Sequence, residues 1–456
     1  MQAEFGMLGR AHVCRTARIT PIDFFILMLC LRSVAHQLPI SMGGGRSSVI
    51  FFLSFVQASP RSLIHSLGSY HGAQQMSFQK SVRRRRLNSE RLEQRVVLAG
   101  NVAVALNITE LSLVGDSDNN VIEIEEIAPN QIRVTGLAGT TINSSVMPVV
   151  FSAPLIDAVL AKMNDGDDRM VVKNMSLTEN ADGVLRVAGG LGEDNFRIDN
   201  VQTTDSIIVD TGENDDVVRS RNTKTKSHQI ATGNGSDSTV VEYFGAEKLE
   251  LSSLEGDDKI VARIGGVSSS MAVSSGAEHD TVALKNIQVG ENLYVSTAQG
   301  DDILQTKNVV VGNSMVVVTD VGNYDGNDLI EMKNAKIGDA LKIVTERGDD
   351  EVKLKRVQVG NVLKVDSGHG NDEVDFHKVK AARVGISTGD GSDHVNLKKV
   401  AAPDLLYVFQ GDGEDWLKLE FCSSDSPEFN GGPGSDVFEV AFNYFAAVSS
   451  TYATSY

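Results

Sequence analysis

An aspartate that follows a glycine-containing turn recurs at nearly constant spacing through most of the chain. Successive aspartates lie 21 or 22 residues apart, except for two steps of 26 residues. Calcium prefers carboxylate and carbonyl oxygens, and glycine lets a backbone turn so that its carbonyls face an ion. The spacing therefore predicts one metal ligand in each repeat, at Asp168, Asp194, Asp216, Asp237, Asp258, Asp280, Asp302, Asp328, Asp350, Asp372, Asp393, Asp415 and Asp436.

Several of these turns carry two adjacent carboxylates, as in Asp215-Asp216, Asp301-Asp302 and Asp349-Asp350. If the repeats stack at the strand spacing of about 4.8 Å, unopposed like charges would destabilise the stack. Calcium held between neighbouring loops would remove that repulsion. The alternative is that glycine and aspartate are present only because they form turns well.

The residues between two aspartates contain apolar side chains in pairs, and the members of each pair are two residues apart. This spacing places both side chains on one face of a strand. A Lys-Asn turn and a glycine turn separate the pairs. In the repeat that begins at Asp350, the pairs are Val352 and Leu354, Val357 and Val359, and Leu363 and Val365. The sequence therefore predicts an all-β fold: a single long parallel β-helix (β-solenoid) with about 22 residues and three short strands per coil.

Stacked coils share one apolar core, which a single coil could not bury alone. With coils about 4.8 Å apart, thirteen of them would form a rod on the order of 60 Å long. Asparagine recurs at the second corner, and two interpretations remain open: a ladder of stacked amides, or tolerance of a left-handed backbone. The residues concerned are Asn174, Asn200, Asn222, Asn286, Asn308 and Asn334.

Several of the turns have a two-glycine form, as in Gly432-Pro433-Gly434-Ser435-Asp436. Residues 233–237, 389–393 and 411–415 match it closely. This pattern resembles the RTX, or haemolysin-type, calcium-binding repeats of secreted bacterial proteins. The resemblance implies Ca²⁺ as cofactor. Its affinity is expected in the weak range of extracellular calcium modules, roughly 10⁻⁴–10⁻³ M. RTX repeats are shorter and have loops on both sides of a flattened roll, so this chain, with one loop per coil, is expected to hold at most one row of ions.

Charge is divided sharply along the chain. Residues 1–100 carry 13 basic and 4 acidic side chains, so the remainder carries 29 and 56, a balance of −27. Such a body is predicted to attract calcium ions and to repel nucleic acid. Only Cys14, Cys30 and Cys422 are present, so no disulfide framework is expected to staple the repeats.

Residues 1–75 differ from the rest of the chain. Their apolar runs, residues 24–31 and 49–56, are too short to span a bilayer and lack the order of a secretory signal. We interpret this segment as a mis-assigned start, with Met76 as the true one, or as a disordered or targeting extension. Native peptides from residues 1–75 in mass spectrometry would exclude the first interpretation.

Residues 76–100 form a basic segment that ends in a short apolar stretch. Leu92-Glu93-Gln94-Arg95, followed by Val97-Leu98-Ala99, resembles the LEPR-XLL-type segment of large secreted or surface proteins of planctomycete bacteria, with Gln94 in place of the family's proline. The resemblance implies export, and hence an extracellular or cell-surface location. The alternative is an ordinary basic amphipathic helix.

The remaining boundaries follow from the regularity of the repeat. Residues 101–165 are interpreted as irregular leading coils that cap the open core, and residues 153–163 could instead form one short capping helix. Residues 166–440 are the regular solenoid, and residues 441–456 a C-terminal cap or tail. His279, His369 and His394 lie in the loops without fixed spacing, and we interpret them as solvated surface residues.

Three functions are compatible with this sequence. The first is a secreted or cell-surface calcium-binding structural or adhesive protein, with cell-surface polymers or other cells as further partners and no transmembrane segment. The second is an enzyme, a polysaccharide lyase or glycosidase, whose site would lie near the 26-residue steps at 169–190 and 314–325. The third is a passive spacer rod that binds no metal.

Overall fold

In the computed structural model, the described residues are 100–320 and 326–446, with the backbone of Ser449–Ser450. They belong to one compact unit, Glu90–Tyr456. None of these residues is helical, which confirms the all-β prediction. The predictions for residues 1–75, and for 76–100 apart from Gly100, lie outside the described residues.

The strands are numbered in chain order. They are β1 Asn101–Asn107, β2 Glu110–Val114, β3 Val121–Ala128, β4 Gln131–Gly136, β5 Thr141–Ile142, β6 Val149–Ser152, β7 Ala158–Asp165, β8 Arg169–Leu177, β9 Val184–Leu191, β10 Asn195–Thr203, β11 Ser206–Glu213, β12 Val217–Lys224, β13 Ser227–Ala231, β14 Ser238–Ser252, β15 Lys259–Ser274, β16 Thr281–Val289, β17 Leu293–Ala298, β18 Ile303–Val311, β19 Met315–Thr319, β20 Leu329–Lys333, β21 Lys336–Ile337, β22 Ala340–Val344, β23 Glu351–Lys355, β24 Gln358–Val359, β25 Val362–Asp366, β26 Glu373–His377, β27 Arg383–Ser387, β28 His394–Lys398, β29 Leu405–Phe409, β30 Trp416–Glu420, β31 Ser423–Ser424, β32 Pro427–Asn430, β33 Val437–Ala441, β34 Tyr444–Phe445 and β35 Ser449–Ser450.

The strands stack in parallel on the equivalent strand of the next coil. Pairing of β20 with β23 and of β23 with β26 places Ile330, Val352 and Val374 in one column. A shorter face stacks β21 on β24, and a third face stacks β22 on β25. The predicted parallel β-helix of about 22 residues and three strands per coil is therefore confirmed.

The core consists of the side chains that alternate inward from the strands. In the coil that begins at Asp350, all six apolar residues predicted to face inward are buried, including Val352, Val357 and Val365. Because every coil contributes the same positions, apolar columns run the length of the solenoid and continuously exclude water.

The leading region combines antiparallel hairpins with the parallel stack. β1 pairs with β2, and β3 with β4, in antiparallel register, whereas β2 and β3 pair in parallel with β7 and β8. The alternative of a capping helix over residues 153–163 is wrong. Val159, Ala161 and Met163 are buried at spacing two and belong to β7, which pairs with β2 and β9, and residues 153–157 that precede it are irregular.

The last described coil continues the stack. β33 pairs with β30, β34 with β31, and β35 with β32, all in parallel. Phe442 is 81% exposed and Tyr444 76% exposed. Residues 441–446 therefore extend the solenoid.

Candidate metal site: the aspartate column

The thirteen aspartates predicted as metal ligands form one column, which we call the aspartate column. The backbone N–H of each aspartate before Asp436 donates to Oδ1 of the aspartate in the next coil, for example from Asp280 to Asp302 at 2.8 Å and from Asp302 to Asp328 at 2.9 Å. At the start of the column, the N–H of Asn120 donates to Asp168 at 2.7 Å. At its end, the N–H of Asp415 donates to Asp436 at 3.2 Å. The structure therefore brings all the predicted residues together along one edge.

These side chains point inward. All are buried except Asp436, which is half-buried. Within the described part of the chain, Oδ2 of every one of the thirteen lacks a hydrogen-bond partner. No basic side chain of the described residues forms an ion pair with the column. Since an isolated buried carboxylate is costly, the column requires a positive partner or a proton.

Burial raises the pKa of the column carboxyls. The pKa rises from 3.8 to about 7 at Asp216 and Asp258 and to about 9 at Asp302. Loss of hydration is the largest cause, and the neighbouring aspartates raise the pKa further, whereas the N–H donated by the preceding coil lowers it. At neutral pH the column therefore carries both carboxylates and carboxylic acids.

Hydroxyl side chains accompany the aspartates, five residues earlier in most coils. The hydroxyls of Thr211 and Thr345 lower the pKa of Asp216 and Asp350 respectively, although burial dominates. The Thr345 hydroxyl has a single proton, and the carbonyl of Ser367 in the next coil, 3.1 Å from Oγ1, competes with Asp350 for it. The column thus lies beside a buried ladder of hydroxyls.

The first carboxylate of each Asp-Asp pair belongs to a second, exposed column. Here the direction of donation is reversed: the N–H of Asn371 donates back to Asp349 Oδ1 at 2.7 Å, and that of Asn327 to Asp301 Oδ1 at 2.8 Å. Over eight coils, carboxylates alternate with other side chains, in the order Asp215, Ser236, Asp257, His279, Asp301, Asn327, Asp349 and Asn371. Within these eight coils the outer carboxylates are therefore about 9.6 Å apart, two coil spacings, whereas Asp167, Glu193 and Asp215 lie in three successive coils at the start of the column.

The glycines of the turns are required by the backbone. Gly348 and Gly370 have φ of 121° and 136°. A Cβ added at Gly370 would lie 1.8 Å from the carbonyl oxygen of Gly348 in the preceding coil. The turn-forming explanation thus accounts for the glycines, but it does not account for a carboxylate whose Oδ2 is unpaired.

The aspartate column fits calcium in the type of its donors. Within the described residues, no three His, Cys, Asp or Glu side chains converge on a point that could hold a metal. A calcium site here would combine unpaired Oδ2 atoms of neighbouring coils with backbone carbonyls, as calcium accepts six to eight oxygens. Some loop carbonyls are already engaged: His369 O accepts the N–H of Gly348 at 2.8 Å.

Both interpretations of the asparagine corner are correct. Nδ2 of Asn308 donates to Oδ1 of Asn286 at 2.8 Å, and Asn334 donates to Asn308 at 2.8 Å. The backbone φ at these residues is between 56° and 57°. Elsewhere in the same column, Phe421 and Phe442 replace the amides and stack with ring centroids 5.2 Å apart.

The three loop histidines are exposed and lie in different surroundings. His279 Nδ1 accepts the N–H of Asp301 at 3.0 Å, and His369 Nδ1 lies 3.1 Å from Asp390 Oδ2. His394 packs edge-on against Trp416. They are surface residues, as predicted.

Two buried titratable residues were not anticipated from the sequence. Asp320 is buried with φ of 44°, and both carboxylate oxygens lack a partner within the described residues. Burial, with Asp328 next in importance, raises its pKa to about 8. His228 is buried in β13. In the sequence, the 26-residue step that follows Asp302 was the one indication of an unusual loop at Asp320. For His228, the indication was that it replaces an apolar residue at a position that faces inward in the other coils.

An open groove of about 1050 Å³ lies beside the first 26-residue step, bordered by Thr178, Thr204 and Lys226. Among the described residues that line it, Glu247 is the one carboxylate. Glycoside hydrolysis ordinarily uses a pair of carboxylates. The described residues that line this groove therefore do not supply the carboxylate pair of a glycosidase.

No family model, curated protein or solved structure matches this chain. Among residues 100–320 and 326–446, no helix has the length and apolar character needed to cross a membrane.

Proposed function

We propose that this protein is a secreted or cell-surface structural rod with an adhesive or spacing role, and that calcium neutralises its aspartate column. The observation that supports the proposal is the unpaired Oδ2 atom repeated in thirteen successive coils without a basic partner among the described residues. Calcium would be held by these aspartates and would supply the missing positive charge. Because the oxygens are covered in the folded coils, the ion would enter as the coils assemble, so that calcium binding and folding are coupled.

The test is thermal unfolding of the whole chain at pH 8, followed by circular dichroism, in chelator, in calcium and in magnesium. At a calcium concentration ten times Kd, each site would contribute about 1.4 kcal/mol. We expect a calcium-specific rise in Tm. The absence of such a rise would contradict the calcium proposal and favour the metal-free spacer.

Two triple variants locate the ion. Each replaces three aspartates by asparagine, which keeps the size and an acceptor oxygen. The inner variant is Asp216→Asn, Asp237→Asn and Asp258→Asn, and the matched outer control is Asp215→Asn, Asp257→Asn and Asp301→Asn. We expect the inner variant to lose much of the calcium response and the outer control to retain it. The opposite result would place the ion outside the core and refute the role assigned to the aspartate column.

A further inference from the structure

A run of basic side chains lies along the second corner of the solenoid, on a chain whose net charge is −18. Strand pairing places seven basic residues of seven successive coils in register. We call this run the basic ridge; it comprises Arg263, Lys285, Lys307, Lys333, Lys355, His377 and Lys398. With six coil steps between its ends, the ridge is roughly 30 Å long.

Acidic residues pair with both ends of the ridge and with Lys333 at its middle, but not with three of its other lysines. Arg263 pairs with Glu242 at one end, and Lys398 pairs with Glu420 at the other. Lys285, Lys307 and Lys355 are exposed, and no carboxylate of the described residues is within ion-pair distance of them. Lys285, Lys307 and Lys355 are therefore the members of the ridge whose charge is not compensated by a carboxylate of the described residues.

The surroundings of the ridge add further positive charge. Arg356, Lys378 and Lys399 follow it directly in sequence and are exposed. The pKa of His377 is lowered by loss of hydration and by the nearby lysines, Lys378 and Lys355 foremost. Of the facing acidic side chains, Glu331 pairs with Lys333 at 2.8 Å. Like charges directly opposite one another destabilise neighbouring strands, so a polyanion laid along the ridge would relieve repulsion in every coil it crosses.

We propose that the basic ridge binds a linear polysaccharide that carries one carboxylate per sugar unit. The ridge presents a lysine or an arginine in six of its seven coils, with His377 in the remaining one, and such a polymer presents carboxylates at regular intervals along a single thin chain. This proposal deepens the adhesive part of the proposed function, on which it rests, by naming the class of partner and the surface that binds it.

The geometry disfavours two other partners. Over residues 215–371 the outer carboxylates of a second copy of this chain would be two coils apart, whereas the ridge has a lysine or an arginine in six of its seven coils. Double-stranded DNA carries a phosphate about every 1.7 Å of its axis, and its two strands would bring negative charge against the acidic remainder of the solenoid. A single thin polymer can follow the ridge and avoid the acidic loops on the other edge.

The test is binding of oligogalacturonate to the full chain in calcium-containing buffer at low and high salt, with neutral dextran and double-stranded DNA as comparison ligands. The ridge variant is Lys285→Gln, Lys307→Gln and Lys355→Gln. The matched control removes three exposed lysines from other positions: Lys226→Gln, Lys248→Gln and Lys342→Gln. Both variants change the net charge equally.

We expect salt-sensitive binding of oligogalacturonate that the ridge variant weakens about tenfold and the control leaves nearly unchanged. If the two variants lose equal affinity for oligogalacturonate, net charge alone attracts the polymer. If binding survives the ridge substitutions, calcium bridges the polymer to the acidic loops. Either result would overturn the proposal. So would equal or stronger binding of DNA, or no binding of oligogalacturonate. The calcium-dependent Tm of the ridge variant reports on the proposed function separately, because none of the three lysines contacts the aspartate column.

Discussion

Replacing His228 by leucine should make the solenoid less sensitive to unfolding at acidic pH. His228 stacks between Ile207 and Leu249 of the adjacent coils, at a position where those coils have apolar side chains. Its Nε2 lies 3.3 Å from the hydroxyl of Ser220, and its Nδ1 has no partner within the described residues. Burial lowers the pKa of His228 from 6.5 to about 4, because the charged ring cannot be hydrated there.

The direction and size of the effect follow from this shift. Below pH 6.5 the unfolded chain binds a proton at His228, whereas the folded chain does so only near pH 4. The contribution of neutral His228 to the free energy of unfolding is therefore fully present above pH 6.5. It is lost as the pH falls from 6.5 to about 4, by about 1.4 kcal/mol per pH unit. At pH 5 the loss is about 2 kcal/mol, and at pH 7.5 it is close to zero. The His228→Leu variant lacks this loss.

The assay is amide hydrogen exchange along β13, which reports the free energy of local opening. The quantity to compare is the difference between His228→Leu and the parent chain at pH 5 and at pH 7.5, since the aspartates titrate in both proteins and cancel. We expect the variant to gain about 2 kcal/mol relative to the parent between the two pH values. The control, Ser220→Ala, removes the partner but keeps the titrating ring, so it should retain the parent's pH dependence. A difference that does not change with pH would refute a buried, neutral His228.

Two further substitutions test the loops. Gly370→Ala should lower Tm strongly, because the added Cβ would lie 1.8 Å from the carbonyl oxygen of Gly348. The control is Gly385→Ala, whose Cβ would meet nothing nearer than 3.6 Å. Equal Tm values for the two variants would contradict the close stacking of the loops. In chelator, Asp302→Ala should destabilise by about 1–3 kcal/mol because it leaves the N–H of Asp280 unpaired, and Asp302→Asn should cost much less because it keeps an acceptor. Denaturant titration of both variants measures this, and equal losses would show that Oδ1 contributes no structural hydrogen bond.

Local pattern was sufficient to predict the fold. Alternation of apolar residues such as Val352 and Leu354 defines strands, and their return every 22 residues or so defines coils, so the pairing register follows from the repeat. The leading region was less predictable, because Ala158–Asp165 is rich in apolar residues that suit a helix or a strand. Its neighbours β2 and β9 decide in favour of a strand, and those contacts are distant in sequence.

The same alternation of inward and outward side chains, extended from the strand into the preceding loop, places the column aspartates on the inside. Asp350 has the parity of Val352 and Leu354, both of which are buried, whereas Asp349 has the opposite parity and is exposed. Two adjacent carboxylates in one loop therefore belong to different columns, and the inner one has an Oδ2 that is buried and has no partner among the described residues. The basic ridge follows from equivalent positions as well, because Lys285, Lys307 and Lys355 each lie five residues after an aspartate of the column. The net charge of the whole chain does not show where the basic residues lie, so composition alone did not reveal the basic ridge on an otherwise acidic solenoid.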